Sequence, residues 1–211
     1  MQEILRGVNK ILRPWCEENL GAIEQRQVEL FAAYLTLLKQ YKQKVNIIGS
    51  RDVERILRDL VIDSLQILRA AELASPLVDV GSGAGFPGVP IKIMRPELAL
   101  YMVEPNVKRY AFLRVVERTL GLQTLAIHNC PVEELPSIRV GSAISKAFRT
   151  LPEWLKLGKN WIDQGAQLAC LFSKNDWDTL GIEWLAQNPQ YALKACVENE
   201  GRVYLIIEKN A

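Results

Sequence analysis

Histidine and cysteine, which supply most metal-binding and nucleophilic side chains, are scarce in this sequence. Its 211 residues include one histidine, His128, and four cysteines. No two cysteines form a C-x-x-C pair, and His128 has only Cys130 nearby. Zinc sites need several of these ligands at short spacings, so we expect no metal site in this protein.

Long apolar runs are missing as well. No apolar stretch approaches the ~20 residues that a membrane-spanning helix requires. Residues 1–9 mix charges and lack the apolar segment of a secretory signal peptide. We therefore expect a cytoplasmic monomer that does not bind membranes.

A strong net charge is a third absence, although the charge is unevenly distributed. The formal charge is +2, so no bulk basicity indicates a nucleic-acid partner. Residues 41–58 hold five basic and two acidic residues, and residues 106–118 hold four and one, which gives +3 for each stretch. Such stretches are typical of a face that meets an anionic polymer, and solvated helix faces produce the same pattern.

The hydrophobic pattern changes near residue 70. Apolar positions at helical spacing predict helices over 3–20, 24–43 and 53–68. After Pro76, short apolar runs alternate with helical stretches, and Asn106 is the expected N-cap of one of them. The runs are 77–80, 98–103, 124–127, 142–145, 166–172, 191–198 and 202–208, and the helices are 88–95, 107–120, 152–162 and 176–187.

This alternation predicts an α/β fold with a mostly parallel seven-stranded sheet that is covered by helices on both faces. The last two runs, joined at residues 199–201, predict an antiparallel C-terminal hairpin. We expect residues 1–70 to form an N-terminal helical cap and residues 71–211 to form the ligand-binding domain.

A cluster of glycines follows the first predicted strand. Asp79 is followed by Gly81, Gly83, Gly85 and Gly88. Glycine permits positive φ and close approach of a ligand to the backbone, and ligands of parallel sheets bind at the carboxyl ends of the strands. Two patterns overlap here: an acid followed by G-x-G-x-G, which is typical of S-adenosylmethionine sites, and G-x-G-x-x-G, which is typical of dinucleotide sites.

The position of the glycines favours S-adenosylmethionine. A dinucleotide site needs the first glycine of its pattern directly after the strand and a helix N-terminus facing the pyrophosphate. In this sequence Gly81 comes first, and Pro87 and Pro90 lie where that helix would begin. Glu104, at the end of the second strand, is placed to accept hydrogen bonds from ribose hydroxyls, which both cofactors possess.

Residues 79–90, Asp-Val-Gly-Ser-Gly-Ala-Gly-Phe-Pro-Gly-Val-Pro, resemble the cofactor loop of the bacterial GidB/RsmG family. Further blocks agree with that family in order, from about residue 28 onwards. They are Val45-Asn46-Ile47, Leu57-Arg58 with Ile62-Asp63-Ser64, the helix from Pro105 to Leu113, Val132-Glu133-Glu134 and Ser145-Lys146-Ala147. The resemblance implies a class I Rossmann-like methyltransferase that uses S-adenosylmethionine to methylate guanine N7 in 16S rRNA of the small ribosomal subunit.

The resemblance also implies which residues form the site. Cofactor binding is expected at Gly81, Gly83, Phe86, Glu104, Val132, Glu133 and Lys146. Substrate or RNA contacts are expected at Asn46, Arg58, Asp63, Lys108 and Arg109, with Lys42, Lys44, Arg51, Arg55 and Arg149 as further phosphate contacts. Guanine N7 carries a lone pair and no proton, so we expect no dedicated catalytic acid, base or nucleophile.

Three positions depart from the family pattern, one of which is Gly49, where the family commonly has a different small or polar residue. Asp59 stands where the family usually has histidine, and Lys146 stands where it usually has arginine. Lysine keeps the charge of arginine but loses its bidentate fork. Three alternatives stay open at this point: methylation of another RNA or a small molecule, an NAD-dependent oxidoreductase, and a non-catalytic RNA-binding relative.

Overall fold

The computed structural model of the protein describes residues 2–42, 52–135, 138–146 and 148–210. The first part of the chain is helical, as predicted. Its elements are α1 (Gln2–Gly7), a π-helical turn (Val8–Leu12), α2 (Arg13–Asn19), α3 (Gln25–Lys42), α4 (Val53–Ile56), a second π-helical turn (Leu57–Ile62), α5 (Asp63–Leu65) and α6 (Ile67–Ala70).

Strands and helices then alternate along the chain. The strands are β1 (Leu77–Val80), β2 (Leu100–Val103), β3 (Leu125–His128), β4 (Ser142–Lys146), β5 (Gln167–Ser173), β6 (Tyr191–Asn199) and β7 (Arg202–Lys209). The helices are α7 (Gly88–Met94), α8 (Val107–Leu120), α9 (Leu151–Ile162), α10 (Lys174–Asp176) and α11 (Ile182–Gln187), with a 3-10 turn at Val132–Glu134 and a π-helical turn at Trp177–Gly181.

The seven strands form one sheet in the order β3-β2-β1-β4-β5-β7-β6. Strands β1 to β5 are parallel, and β7 lies antiparallel between β5 and β6. This arrangement confirms the predicted mostly parallel sheet and its antiparallel C-terminal hairpin. The strand order reverses between β1 and β4, which is where ligands of such sheets bind.

Two predicted boundaries illustrate how local residues set the elements. Asn106 Oδ1 accepts hydrogen bonds from the backbone N–H groups of Lys108 and Arg109, at 3.0 and 3.2 Å, which confirms the predicted N-cap of α8. Strand β3 begins at Leu125 rather than Thr124, because Thr124 has a φ of 49° and still belongs to the preceding turn.

The N-terminal helices pack on one face of the sheet. Val8, Phe31 and Leu35 belong to the same buried apolar cluster as Leu100 and Ile206 of the strands. A second cluster, built around Trp154 of α9, covers the opposite face. One continuous core joins residues from both sides of residue 70. The division into a helical cap and a ligand-binding domain stays a prediction.

Within the described ranges, no helix is long and apolar enough to span a membrane.

Tyr34 of α3 connects the helical segment to the glycine loop. Its ring is fully buried, and its hydroxyl donates a hydrogen bond of 2.7 Å to the carbonyl of Ala84. The Tyr34 ring also packs against Phe86, with 5.5 Å between the ring centroids. Helix α3 therefore contributes to the shape of the loop.

We predict that Tyr34→Phe lowers the free energy of unfolding by about 1–2 kcal/mol, because the variant loses one buried hydrogen bond while it keeps the ring. Urea denaturation followed by circular dichroism measures the change. Tyr110→Phe is the matched control, since Tyr110 lies partly exposed on α8. Equal stability of the wild type and Tyr34→Phe would contradict the prediction.

Candidate functional site

The glycine loop leaves the carboxyl end of β1 with three glycines in left-handed conformations. The φ angles are 72° at Gly81, 57° at Gly83 and 102° at Gly85. A Cβ at Gly85 would lie 2.7 Å from the side chain of Val89 and 2.8 Å from the Tyr34 hydroxyl. At this position both the backbone angle and the close packing require glycine.

The Asp79 carboxylate holds the far end of the loop from inside the protein. It is fully buried, and its Oδ2 accepts a hydrogen bond of 3.1 Å from the N–H of Gly88. A Cβ at Gly88 would lie 2.6 Å from the same oxygen, so a glycine is needed there too. Burial raises the pKa of Asp79 to about 7, and the negative charge of Glu104 adds to the shift.

Glu104 holds the near end of the loop. Its side chain is buried at the end of β2, where Oε2 accepts a hydrogen bond from Gly83 N–H at 2.8 Å. Oε1 accepts another from Asn106 N–H, also at 2.8 Å. The carboxylate predicted to bind ribose is thus beside the glycine loop and already ties it to the start of α8.

A cavity of about 80 Å³ opens beside Gly81. Its walls bring together nine residues, of which Gly81, Val132 and Glu133 were predicted to bind the cofactor. They are Val80, Gly81, Val103, Pro105, Pro131, Val132, Glu133, Phe148 and Arg149. The Phe148 ring lies directly over Gly81, where an added Cβ would be 2.4 Å from its Cδ2.

The residues around this cavity fit an adenosine-containing cofactor. Apolar walls from Val80, Val103 and Val132 suit a flat base, and glycine backbone and Glu104 carboxylate suit a sugar. The volume, however, is well below the ~300 Å³ at which sites for ligands of this size begin. A cofactor that occupied this cavity would need the Phe148 ring to move away from Gly81.

Glu133 is held by a neighbour that also lines the cavity. Its carboxylate accepts a short hydrogen bond from the guanidinium of Arg149, which lies 4.8 Å from the centre of the Phe148 ring. This bond lowers the pKa of Glu133. Glu133, a predicted cofactor contact, and Arg149, a predicted phosphate contact, are thus paired with each other.

Lys146, at the end of β4, is directed away from this cavity. Its Nζ lies 2.5 Å from Asp63 Oδ2 and 5.7 Å from the centre of the Phe86 ring. Burial lowers the pKa of Lys146, while the charge of Asp63 opposes that shift. The structure therefore brings together Lys146, Asp63 and Phe86, three residues that were predicted separately.

Asp63 also binds two residues of the C-terminal hairpin. Arg202 Nη1 lies 3.1 Å from Asp63 Oδ2, and the Tyr204 hydroxyl donates a hydrogen bond of 2.5 Å to Oδ1. Arg202, Tyr204 and Phe148 were not predicted from the sequence. No local pattern marks them, because each becomes part of the site only through contacts with distant segments.

The predicted RNA contacts are dispersed. Arg58 is exposed and forms an ion pair with Glu54, one helical turn earlier, at 3.1 Å. Lys108 and Arg109 are exposed in the first turn of α8, next to Glu104. Asn46 lies outside the described residues, as do Lys44 and Arg51.

The chain resembles known methyltransferases in sequence and in fold. The family described as GidB, rRNA small subunit methyltransferase G, matches residues 27–200. The ribosomal RNA small subunit methyltransferase G of Chromobacterium violaceum is 34% identical over 149 residues, which cover 70% of this chain and 71% of that protein.

Solved structures share the fold at much lower identity. The ribosomal protein L11 methylase of Lactobacillus delbrueckii subsp. bulgaricus has a TM-score of 0.54 and 12% identity over 78% of this chain and 81% of its own. TYW2 of M. jannaschii, solved in complex with AdoMet, has a TM-score of 0.53 and 11% identity over 72% of this chain and 77% of its own. These likenesses confirm the Rossmann-like methyltransferase fold.

We predict that Gly81→Ala weakens S-adenosylhomocysteine binding about tenfold or more, which corresponds to about 1.4 kcal/mol. The new methyl group would occupy the space above Gly81 that the Phe148 ring now fills and that a cofactor needs. Isothermal titration calorimetry measures the affinity.

Gly121→Ala is the matched control for backbone strain. Gly121 has a φ of 62°, close to that of Gly81, and an added Cβ there would meet nothing within 4 Å. This control should lose stability and keep its affinity. Wild-type affinity in Gly81→Ala would show that the space above Gly81 is not used by the cofactor.

We predict that Asp79 makes the protein less stable as the pH rises from about 4 to 7. Its pKa rises from 3.8 to about 7 on folding, so the folded protein keeps a proton that the unfolded chain releases. The stabilisation is complete below pH 3.8 and is lost as the pH rises through 7. One pKa unit corresponds to ~1.4 kcal/mol, so the free energy of unfolding falls by up to about 4 kcal/mol over this pH range.

Asp79→Asn, which does not titrate, should flatten this part of the curve of unfolding free energy against pH. Urea denaturation at several pH values measures it. Glu18→Gln removes an exposed carboxyl group on α2 and should leave the curve unchanged. The same slope in Asp79→Asn and the wild type would assign the pH dependence to another group.

Proposed function

Because the chain belongs to the GidB family of rRNA small subunit methyltransferase G, we propose that it transfers a methyl group from S-adenosylmethionine to N7 of a guanine in 16S rRNA. The observation that carries the proposal is the glycine loop at the end of β1, held by Glu104 through Gly83. The family match includes this loop and every other described residue of the predicted site.

We assign cofactor binding to the surroundings of Gly81. The backbone of Gly81 and Gly83 and the carboxylate of Glu104 would hold the sugar. Val132 and Glu133 would hold the adenine, once Arg149 releases the Glu133 carboxylate. Phe86 would support the methionine end, because it lies on the side of the loop that faces Lys146.

Methyl transfer to guanine N7 mainly requires that the protein align the two reactants. Bound S-adenosylmethionine supplies an electrophilic methyl group on a sulfonium sulfur. Since guanine N7 offers its lone pair without losing a proton, no side chain needs to act as a base. The protein has to hold N7 in line with the carbon–sulfur bond, and such positioning alone gives large rate gains. The product is a cation, which a nearby acid or carbonyl oxygen would stabilise.

The exposed cations at the start of α8 support an RNA substrate. Lys108 and Arg109 lie next to the proposed cofactor site and have no acidic partner in the described part of the chain. They would bind phosphates and set the orientation of the RNA without reading its sequence. Arg58 would also bind phosphate, and Asn46 remains part of the proposal. We further propose that the enzyme acts as a cytoplasmic monomer.

The test is transfer of tritiated methyl groups to small ribosomal subunits, and separately to their naked RNA, from a strain that lacks this methylation. We predict incorporation that maps to one 7-methylguanine, detected by borohydride reduction and aniline cleavage of the RNA. Methyl groups at another atom would support the alternative of a different RNA target. No incorporation into either substrate would contradict the proposed function.

Cofactor choice is tested separately by thermal unfolding. S-adenosylhomocysteine should raise the unfolding temperature, because a ligand that binds only the folded state stabilises it. NAD should have no effect. Stabilisation by NAD alone would favour the oxidoreductase, and RNA binding without methyl transfer would favour a non-catalytic relative.

A further inference from the structure

The Phe148 ring fills the space above Gly81, where we assign cofactor binding. A Cβ added to Gly81 would lie 2.9 Å from the Cγ of Phe148 and 3.1 Å from its Cβ. With the ring in this position, the cavity that both residues line has a volume of about 80 Å³. A cofactor at Gly81 and the Phe148 ring therefore compete for the same space.

Arg149 holds the ring in that position. Its guanidinium lies 4.8 Å from the centre of the Phe148 ring, which is within the range of a cation–π contact. It also donates a short hydrogen bond to the carboxylate of Glu133, which belongs to the 3-10 turn in the cavity wall. Phe148 and Arg149, which we call the latch, thus connect the segment after β4 to that turn.

The chain on both sides of the latch is fixed by other contacts. Lys146, at the end of β4, forms the buried ion pair with Asp63. Thr150, the N-cap of α9, donates hydrogen bonds from its N–H and its hydroxyl to Glu153 Oε2, at 3.0 and 2.6 Å. The latch can therefore open by rotation of its two side chains while β4 and α9 stay in place.

The contact between Arg149 and Glu133 is one that another anion can replace. The exposed fractions of the two side chains are 33% and 53%. Ion pairs with this much exposure contribute little stability in water. A phosphate group accepts two parallel hydrogen bonds from a guanidinium, so it competes well with the carboxylate for Arg149.

RNA would bring phosphates to this side of the cavity. Pro105 lines the same cavity as Arg149, and Lys108 and Arg109 follow it in the first turn of α8. Both are exposed cations that we assign to phosphates of the RNA. RNA held by these cations would place its neighbouring phosphates near the cavity that Arg149 helps to form.

We propose that the latch keeps the cofactor cavity closed until an RNA phosphate takes the Arg149 guanidinium from Glu133. The inference rests on the proposed function. Once Arg149 has turned away, the Phe148 ring can leave Gly81, and the Glu133 carboxylate is free to bind the adenine. Because the coupling of two ligands is reciprocal, RNA and cofactor each raise the affinity for the other by the same factor.

Equilibrium dialysis with labelled S-adenosylhomocysteine tests the latch, because this reaction product binds without transferring a methyl group. In the absence of RNA, Phe148→Ala should bind it about tenfold more tightly than the wild type, since the open form is then the populated one. Arg149→Gln should change the affinity in the same direction. Unfolding temperatures, measured in parallel, show that each variant is folded.

The same measurement is repeated with 16S RNA from a strain that lacks this methylation. The wild type should gain about tenfold in affinity, whereas Phe148→Ala and Arg149→Gln should gain little, because their cavities are already open. Inorganic phosphate at the same phosphate concentration should have no effect, since Lys108 and Arg109 do not hold it beside the latch.

Arg139→Gln is the matched control for the loss of one positive charge. Arg139 is exposed and precedes β4, so it lies at the edge of the sheet opposite to the cofactor cavity. This variant should bind S-adenosylhomocysteine as the wild type does, both with and without RNA.

The outcomes separate the latch from the proposed function. Wild-type affinity in Phe148→Ala would overturn the latch, and so would an equal gain from RNA in Arg149→Gln and the wild type. A changed affinity in Arg139→Gln, or an equal gain from inorganic phosphate, would overturn its opening by RNA. Failure of the wild type to bind S-adenosylhomocysteine, with or without RNA, would instead remove the proposed function and the latch with it.

Discussion

Two buried carboxylates hold the glycine loop from opposite ends, and the rest of the site is arranged around that loop. Asp79 accepts from Gly88 N–H, and Glu104 accepts from Gly83 N–H. Each of these buried side chains therefore fixes one backbone N–H group of the loop. At Asp79 the effect of burial is larger than the opposing effect of its hydrogen bonds, so the pKa of the carboxyl group rises to about 7. These hydrogen bonds restrict the conformation of the loop, which would limit the conformational entropy that ligand binding costs.

Asp63 links distant parts of the chain through its buried carboxylate. It lies in the helical segment, yet its carboxylate binds Lys146 of β4 and Arg202 and Tyr204 of β7. Removing a single partner would leave a buried charge less compensated, which is costly in an apolar surrounding. The helical segment, the parallel strands and the hairpin are thus held in one geometry by one side chain.

The parts of the molecule that depend on local sequence could be predicted, and those that depend on distant contacts could not. Strands, helices and the cap at Asn106 follow from hydrophobic spacing and short-range hydrogen bonds. The position of Glu104 beside the loop follows from the parallel arrangement of β1 and β2. Nothing in the sequence near Phe148 indicates that its ring covers Gly81, however. Tyr204 appears in the sequence only as a strand residue, because its partner Asp63 is far away along the chain.

The lysine at position 146 can be understood from the same contacts. Where the family usually has arginine, Lys146 has a compact ammonium group whose three donors meet three acceptors of the chain: the Asp63 carboxylate and the carbonyls of Asp59 and Leu60, at 3.3 and 3.4 Å. A guanidinium is planar and needs its acceptors in one plane, so it would not satisfy this set equally well. The ammonium therefore fastens the 57–66 segment to β4. The exposed guanidinium at this end of the sheet belongs to Arg202, which binds the same carboxylate from the hairpin. Lys146 and Arg202 thus bind one carboxylate from two different strands, and only Arg202 remains half exposed.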